Sequence, residues 1–318
     1  MNKCILYLMS VIIFFCSCDK GELPISATLP GDATIQQVEM TETYKNQIFF
    51  SLESNAVISS NDKTDWDISF SSNTYDPIIT LNTSKAMRVH RSSSAFADIN
   101  SYSDDDWHYD VHSGNLDSTG FGNDLLNFTF IVDRGYNELG SLIGQFKLRV
   151  TEITDEKYKI QVGTVDDLTG EIIEIERFAD QNFSYYHFGN GQVTISPPTE
   201  TWDLIFTQYT HLFYDPFTPY LVTGIILNRE ETLVHQTEDF TFEEIDKSIA
   251  EGLTFSSDAD VIGYDWKYFD FGTSSFIINP DIIYVIKNLN GFYFKLHFVD
   301  FYNDSGLKGY PKFEFQQL

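Results

Sequence analysis

Seven histidines are the side chains in this chain best suited to hold iron or another transition metal: His90, His108, His112, His187, His211, His235 and His297. Neutral imidazole ligates such ions, and a methionine thioether also serves haem iron. In "KAMRVHRS" (85–92), Met87 lies three residues before His90, so the two can approach one ligand from a strand end or loop. His108 and His112 are four apart, but outside a helix that spacing does not put them on one face. His297 in "KLHFVDF" and His187 in "YYHFG" sit in alternating apolar stretches and read as structural. His211 stands in "TQYTHLFYDPFTPY" (207–220), read as an aromatic loop. Tyr209, His211 and Tyr214 there either line an apolar pocket, touch a partner, or cap a β core.

Catalytic signatures are sparse. The sequence has no phosphate-cradling glycine loop, no G-x-S-x-G elbow and no H-E-x-x-H pair. A carboxylate pair of the glycosidase kind needs a separation that a sequence does not display. "SDDDWHYD" (103–110) lacks the spaced ligands of a calcium loop and reads as a solvated acidic segment.

The three cysteines, Cys4, Cys16 and Cys18, all fall in the first eighteen residues. The apolar run from Cys4 to Phe15 follows Lys3 and is too short to span a bilayer, so residues 1–17 read as a signal peptide. Cys18 reads as a lipobox cysteine, the lipid attachment point, carrying palmitate among its acyl chains. Residues 18–32 then form a flexible tether, and a triacylated terminus anchors stably. The charged "DKGE" after it is similar to the surface-export signal of Bacteroidetes lipoproteins. The expected location is the outer membrane, exposed at the cell surface. With 47 acidic against 20 basic residues and a net charge of −27, a phosphate backbone would be repelled.

The candidate ligands must be held by a scaffold that is written twice. "IFFSLESNAVISSNDKTDWDISF" (48–70) lies without a gap on "SYYHFGNGQVTISPPTETWDLIF" (184–206), and "IITLN" (78–82) is followed in kind by "GIILN" (224–228). "DDWHYD" (105–110) matches "YDWKYFD" (264–270), and "GQFKLRVTEIT" (144–154) matches "FYFKLHFVDFY" (292–302). These segments alternate with the period of two expected of half-buried strands, separated by turns such as "NLNG" and "NDSG". The expectation is an all-β, mainly antiparallel protein of two tandem repeats, 33–165 and 170–318, with one or two short helices. The best helical candidate is "FTFEEIDKSIAEG" (240–252).

The ordered set WDxxF, xLN, a DW element and "YVIKNLNGFYFKLHFVDFY" resembles the HmuY family, surface lipoproteins of Bacteroidetes whose founding members bind haem. The resemblance is specific in the second copy (264–316) and looser in the first. It implies an all-β, hand-like fold with two axial ligands, histidine or methionine, on loops at its tip. One family ligand maps onto His112 in "DWHYDVHSG", with Phe271 at that place in the second copy; for the other, only Met87 and His90 are offered. The resemblance implies a non-enzymatic haem-binding lipoprotein that delivers haem to an outer-membrane receptor. A surface lipoprotein that binds a glycan or protein partner without haem is the alternative.

Overall fold

The alternating segments do form strands, and every strand pairing is antiparallel. The computed structural model describes residues 31–102, 105–229 and 231–318. The expected signal peptide, Cys18 and the tether as far as residue 30 lie outside the described residues. The alternating run "QFKLRVTEI" is the strand Gln145–Ile153, and "FYFKLHFVDF" is Tyr293–Tyr302 within one residue. The helix is shorter than expected. It runs Lys247–Gly252, because the Asp246 side chain accepts the Ile249 N–H and caps it there. Among the described residues no helix is long and apolar enough to cross a membrane.

Four main sheets build two layered lobes. In one lobe, a six-stranded sheet (Glu171–Glu176, Lys157–Gly163, Gln145–Ile153, Thr129–Asp133, Arg88–Ser92, Trp107–His108) faces a four-stranded one (Gly191–Val193, Phe183–His187, Ile68–Ser71, Ile79–Leu81). Their shared core includes Ile68, Phe70, Phe130, Leu148, Tyr158 and Tyr186. In the other lobe, a five-stranded sheet (Thr34–Gln37, Lys308–Gln317, Tyr293–Tyr302, Ile283–Lys287, Leu233–Thr237) faces Phe217–Leu227, Leu204–Tyr214, Asn46–Ser51 and Ala56–Asp62. Phe50, Phe206, Trp266, Phe298 and Phe313 fill that core. Each such large buried side chain contributes about 1.5–3 kcal/mol relative to exposure.

The sequence boundaries 33–165 and 170–318 do not coincide with these lobes, because each copy lends three strands to the other: Thr34–Gln37, Asn46–Ser51 and Ala56–Asp62 in one direction, Glu171–Glu176, Phe183–His187 and Gly191–Val193 in the other. Phe50 pairs with Leu204, and Tyr186 pairs with Ile68. Every position in one pairing is 136 residues from its counterpart in the other. The exchange is locked by equivalent polar contacts. Asp67 Oδ2 accepts the Phe188 N–H at 2.8 Å, and Asp203 Oδ2 accepts the Leu52 N–H at 2.7 Å. Asn82 Nδ2 donates to the Lys63 and Trp66 carbonyls, as Asn228 Nδ2 does to those of Thr199 and Trp202. These bonds explain why the WD and xLN motifs recur together: the asparagine satisfies the carbonyls of the loop that carries WD. Strand alternation then uses both faces. Phe50 and Tyr186 enter the two lobe cores, while Phe49 and Tyr185 turn the other way into a third cluster with Trp66, Trp202 and Ile205, where the small sheets meet.

Candidate functional site

The stretch Thr207–Tyr220, expected as a loop, is most of a long hairpin. Leu204–Tyr214 and Phe217–Leu227 stay in register from Leu204↔Leu227 to Tyr214↔Phe217. Its apolar and β-branched alternation suits paired strands, and Pro219 is accommodated because Phe217–Leu227 is an edge strand. Side chains on this hairpin therefore diverge. Tyr209 is buried, whereas Tyr214, Phe217 and Tyr220 are more than half exposed at the far end.

Beside the hairpin runs the segment that carries Asp260. The Ile225 N–H donates to the Gly263 carbonyl at 2.9 Å and the Leu227 N–H to that of Ala259 at 2.8 Å. The approach is close enough that a Cβ on Gly224 would lie 2.2 Å from the Gly263 oxygen. The segment carrying His112 meets it from the other lobe: the Ala259 N–H donates to the Ser113 carbonyl at 2.7 Å. Gly114, with φ +71°, packs where any Cβ would meet that of Ala259 at 2.8 Å.

These constraints bring together three side chains distant in sequence. His112 Nδ1 lies 2.7 Å from Asp260 Oδ2, and His211 Nδ1 lies 3.8 Å from the same oxygen. The two imidazoles stack, with centroids 3.9 Å apart and planes at 27°. Phe213 and Tyr264 close on the His211 ring edge-to-face. All three polar groups are mostly buried but retain some exposure. His211 Nδ1 is buried without a hydrogen-bond partner among the described residues, as is the Tyr209 hydroxyl. Burial, then the neighbouring His112, push the His211 pKa below the ordinary histidine value, against the pull of Asp260. Burial, then Asp260, push the Tyr209 phenol upward, so it stays a neutral donor.

The other expected ligands have separate surroundings. Met87 is 1% exposed and packed in the first lobe's core, so its thioether is withdrawn from any ligand. His90 Nδ1 lies 3.2 Å from the Asp105 carbonyl, and its ring contacts Tyr102 and Trp107. His187 Nε2 lies 3.0 Å from the Arg134 guanidinium, and His297 Nε2 lies 2.9 Å from a Glu314 oxygen. Nor is the acidic segment simply solvated: Asp110 is buried and accepts the Leu81 and Gly120 N–H groups, both at 2.7 Å.

The match between the two DW elements also fails in space. His235 repeats the surroundings of His90, with its Nδ1 2.7 Å from the Thr254 carbonyl and its ring against Phe255. Val89 pairs with His108, and Val234 bridges Ser256. The counterpart of Trp107 is therefore Phe255, whereas Trp266 is a core residue stacked on Phe298. The loops that follow, bearing His112 and Asp260, are counterparts that touch where the two copies meet. Asp260 has no signal in the sequence; finding it requires this corrected alignment.

Two spaces adjoin the cluster. A cavity of about 220 Å³ is lined by His112, Tyr209, Asp110, Trp202 and Arg229. An aromatic groove of about 770 Å³, walled by Phe213, Tyr220, Tyr264, Phe269, Phe271 and Phe276, lies on the far side of His211's ring partners. The groove has the volume of a small-molecule site and the cavity falls below that range. By residue type His112 and His211 suit haem iron, and the aromatic groove suits a planar apolar ligand, although neither histidine lines that groove. The pair of His112 with Met87 does not fit, because Met87 is sealed in the core.

A model of the HmuY protein family matches residues 43–315, spanning both copies. Among solved structures, apo PinO from Porphyromonas gingivitis is similar over 91% of this chain and 98% of its own, at 10% identity and a TM-score of 0.37. The apo HmuY analogue of Tannerella forsythia covers 91% and 97%, at 9% identity and a TM-score of 0.35. A protein of Bacteroides vulgatus described as a putative HmuY-like haem-binding protein covers 90% and 94%, at 11% identity and a TM-score of 0.24. No curated protein matches the chain.

Proposed function

Because the chain belongs to the HmuY family, we propose that it captures haem as a surface lipoprotein, anchored through Cys18, and passes it without catalysis to an outer-membrane receptor. The observation that supports this reading is the convergence of His112 and His211, from different copies, beside an aromatic groove. Haem iron, when bound, would be held by the imidazoles of His112 and His211 and would supply reversible nitrogen ligation. Burial of His211 keeps its imidazole neutral, the form that ligates. Asp260 holds the His112 ring by its Nδ1, and the stacking keeps the two imidazoles together where they would hold the iron. His90, although suggested by sequence, is less suited because its ring is engaged by Tyr102, Trp107 and the Asp105 carbonyl.

A haemin titration tests the reading. A Soret shift that saturates near one equivalent, and is weakened by His112→Ala and by His211→Ala, is the expected result. No shift, or one that both variants leave intact, overturns it.

The exposed hairpin end supports a second reading, contact with a glycan or protein partner. Tyr214, Phe217 and Tyr220 are 65%, 54% and 59% exposed. Tyr209, suggested with them, is buried and belongs to the cavity instead. A glycan-array signal abolished by Tyr214→Ser, in a protein with no Soret shift, would select this reading over haem capture.

A further inference from the structure

The geometry points to a second use of the same cluster: His112, His211 and Asp260 form a site for a bare divalent transition-metal ion of the zinc type. The candidate donor atoms of the three residues lie within 4.8 Å of one another. Both imidazoles direct Nδ1 to one carboxylate oxygen, at 2.7 and 3.8 Å. Two ligands of a tetrahedral zinc, each bonded at about 2.0–2.2 Å, stand roughly 3.3–3.5 Å apart. A small opening at His112 and a small closing at His211 therefore reach coordination distances. Stacked imidazoles present their nitrogens side by side. That arrangement suits neighbouring positions on one small ion, whereas axial haem ligands must face each other across a plane.

An independent observation also indicates a missing partner. His211 Nδ1 is buried with nothing to bond among the described residues, and Tyr209 on the same strand carries a buried hydroxyl in the same condition. Unpaired buried polar atoms are rare in folded proteins and unfavourable. An ion between the histidines and Asp260 would satisfy His211 Nδ1 directly. Among neighbouring charges Asp260 acts most strongly on Tyr209, and that hydroxyl is free to donate to a water completing the coordination.

The chemistry of the donor set selects the ion. Two imidazoles and one carboxylate suit zinc, nickel, copper or ferrous iron, and leave positions open to water. They suit calcium and magnesium poorly, since these prefer oxygen ligands. The net charge of −27 favours cation approach in general. The residual exposure of all three side chains leaves a path for the ion. A metal takes up the Nδ1 lone pair, so loading would replace the 2.7 Å contact of His112 Nδ1 with Asp260 Oδ2 by coordination of both to the ion.

The site is not the haem reading restated, because it uses the histidines as they stand and adds Asp260. Calorimetric titration of the purified protein with zinc chloride tests it, supported by the visible d–d bands of cobalt(II). One equivalent should bind, and Asp260→Asn and His211→Ala should each weaken binding by about tenfold or more. Asp260→Asn keeps the volume and a hydrogen-bond acceptor for His112, so an unchanged thermal midpoint verifies its fold. Zinc binding that is absent in the wild type, or intact in both folded variants, overturns the site. A parallel haemin titration separates the two readings. Zinc binding without a Soret shift overturns haem capture and upholds the ion site, while a Soret shift without zinc binding does the reverse.

Discussion

His112 and His211 stack at 3.9 Å although they come from different copies of the repeat, and one oxygen of Asp260 faces both. A charge on His112 is felt by His211. Burial, followed by His112, holds the His211 pKa below its ordinary value. His211 should therefore titrate below 6.5 in an NMR titration of its ring protons. His112→Ala should move that midpoint upward, since it removes a like charge, admits solvent and frees Asp260. A downward or absent movement would show that the stacking is not formed in solution.

The strand exchange has a consequence for fragments. Residues 33–165 expressed alone would lack Phe183–His187, the partner of Ile68–Ser71, and residues 170–318 would lack Asn46–Ser51. Neither fragment should unfold cooperatively on heating by near-UV circular dichroism, while the mixture should regain part of the transition. A sharp transition in either fragment alone would disprove the dependence.

Asp67 sits at the centre of a buried ion network. Its carboxylate contacts Lys85 Nζ, accepts Arg134 Nε at 2.9 Å and receives the Phe188 N–H at the exchange point. Burial alone would raise its pKa, but Lys85 and Arg134 outweigh that and hold it low. Asp67→Ala should destabilise the fold by about 3–5 kcal/mol, because it strands two buried cations. In urea unfolding, a double-mutant cycle with Lys85→Met should give a coupling energy above roughly 1 kcal/mol. Additive effects would mean that the contact contributes nothing specific.

Asp110 makes the opposite contribution to pH dependence. Burial raises its pKa from 3.8 to about 7, against the two backbone N–H groups that favour the charged form. Between these values the folded state binds more protons than the unfolded state, so this group lowers stability as pH rises from about 4 to about 7. Urea midpoints measured across that range should fall less steeply in Asp110→Asn than in the wild type. Asp203, raised to about 6, leaves some slope in both proteins. Parallel curves would refute the assignment.

Gly224 couples the hairpin to the Asp260 segment through an approach that only glycine allows. Gly224→Ala should destabilise by about 1–3 kcal/mol and push that segment away from His211. Zinc affinity should fall with it, even at temperatures where the variant is fully folded. Full zinc affinity in a folded Gly224→Ala protein would show that the site tolerates the displacement.

Period-two alternation in "QFKLRVTEI" and "KYKIQV" was enough to identify strands, since a pleated surface that is wet on one side dictates that pattern. WD with xLN likewise marked the loop that each asparagine, Asn82 and Asn228, ties down. Among candidate ligands, His112 and His211 were each visible as chemistry-bearing residues. Their partnership was not, and neither was Asp260. Met87 and His90 looked equally available, because burial in a core and engagement by Tyr102 and Trp107 have no local signature. Residue type and short-range periodicity are properties of a few neighbouring positions, and the sequence determines them directly. Which strand joins which lobe, and which loops touch, depends on contacts across more than a hundred residues, and these only the folded chain decides. The His112–His211–Asp260 cluster belongs to that second kind: it exists because two exchanged copies press equivalent loops together.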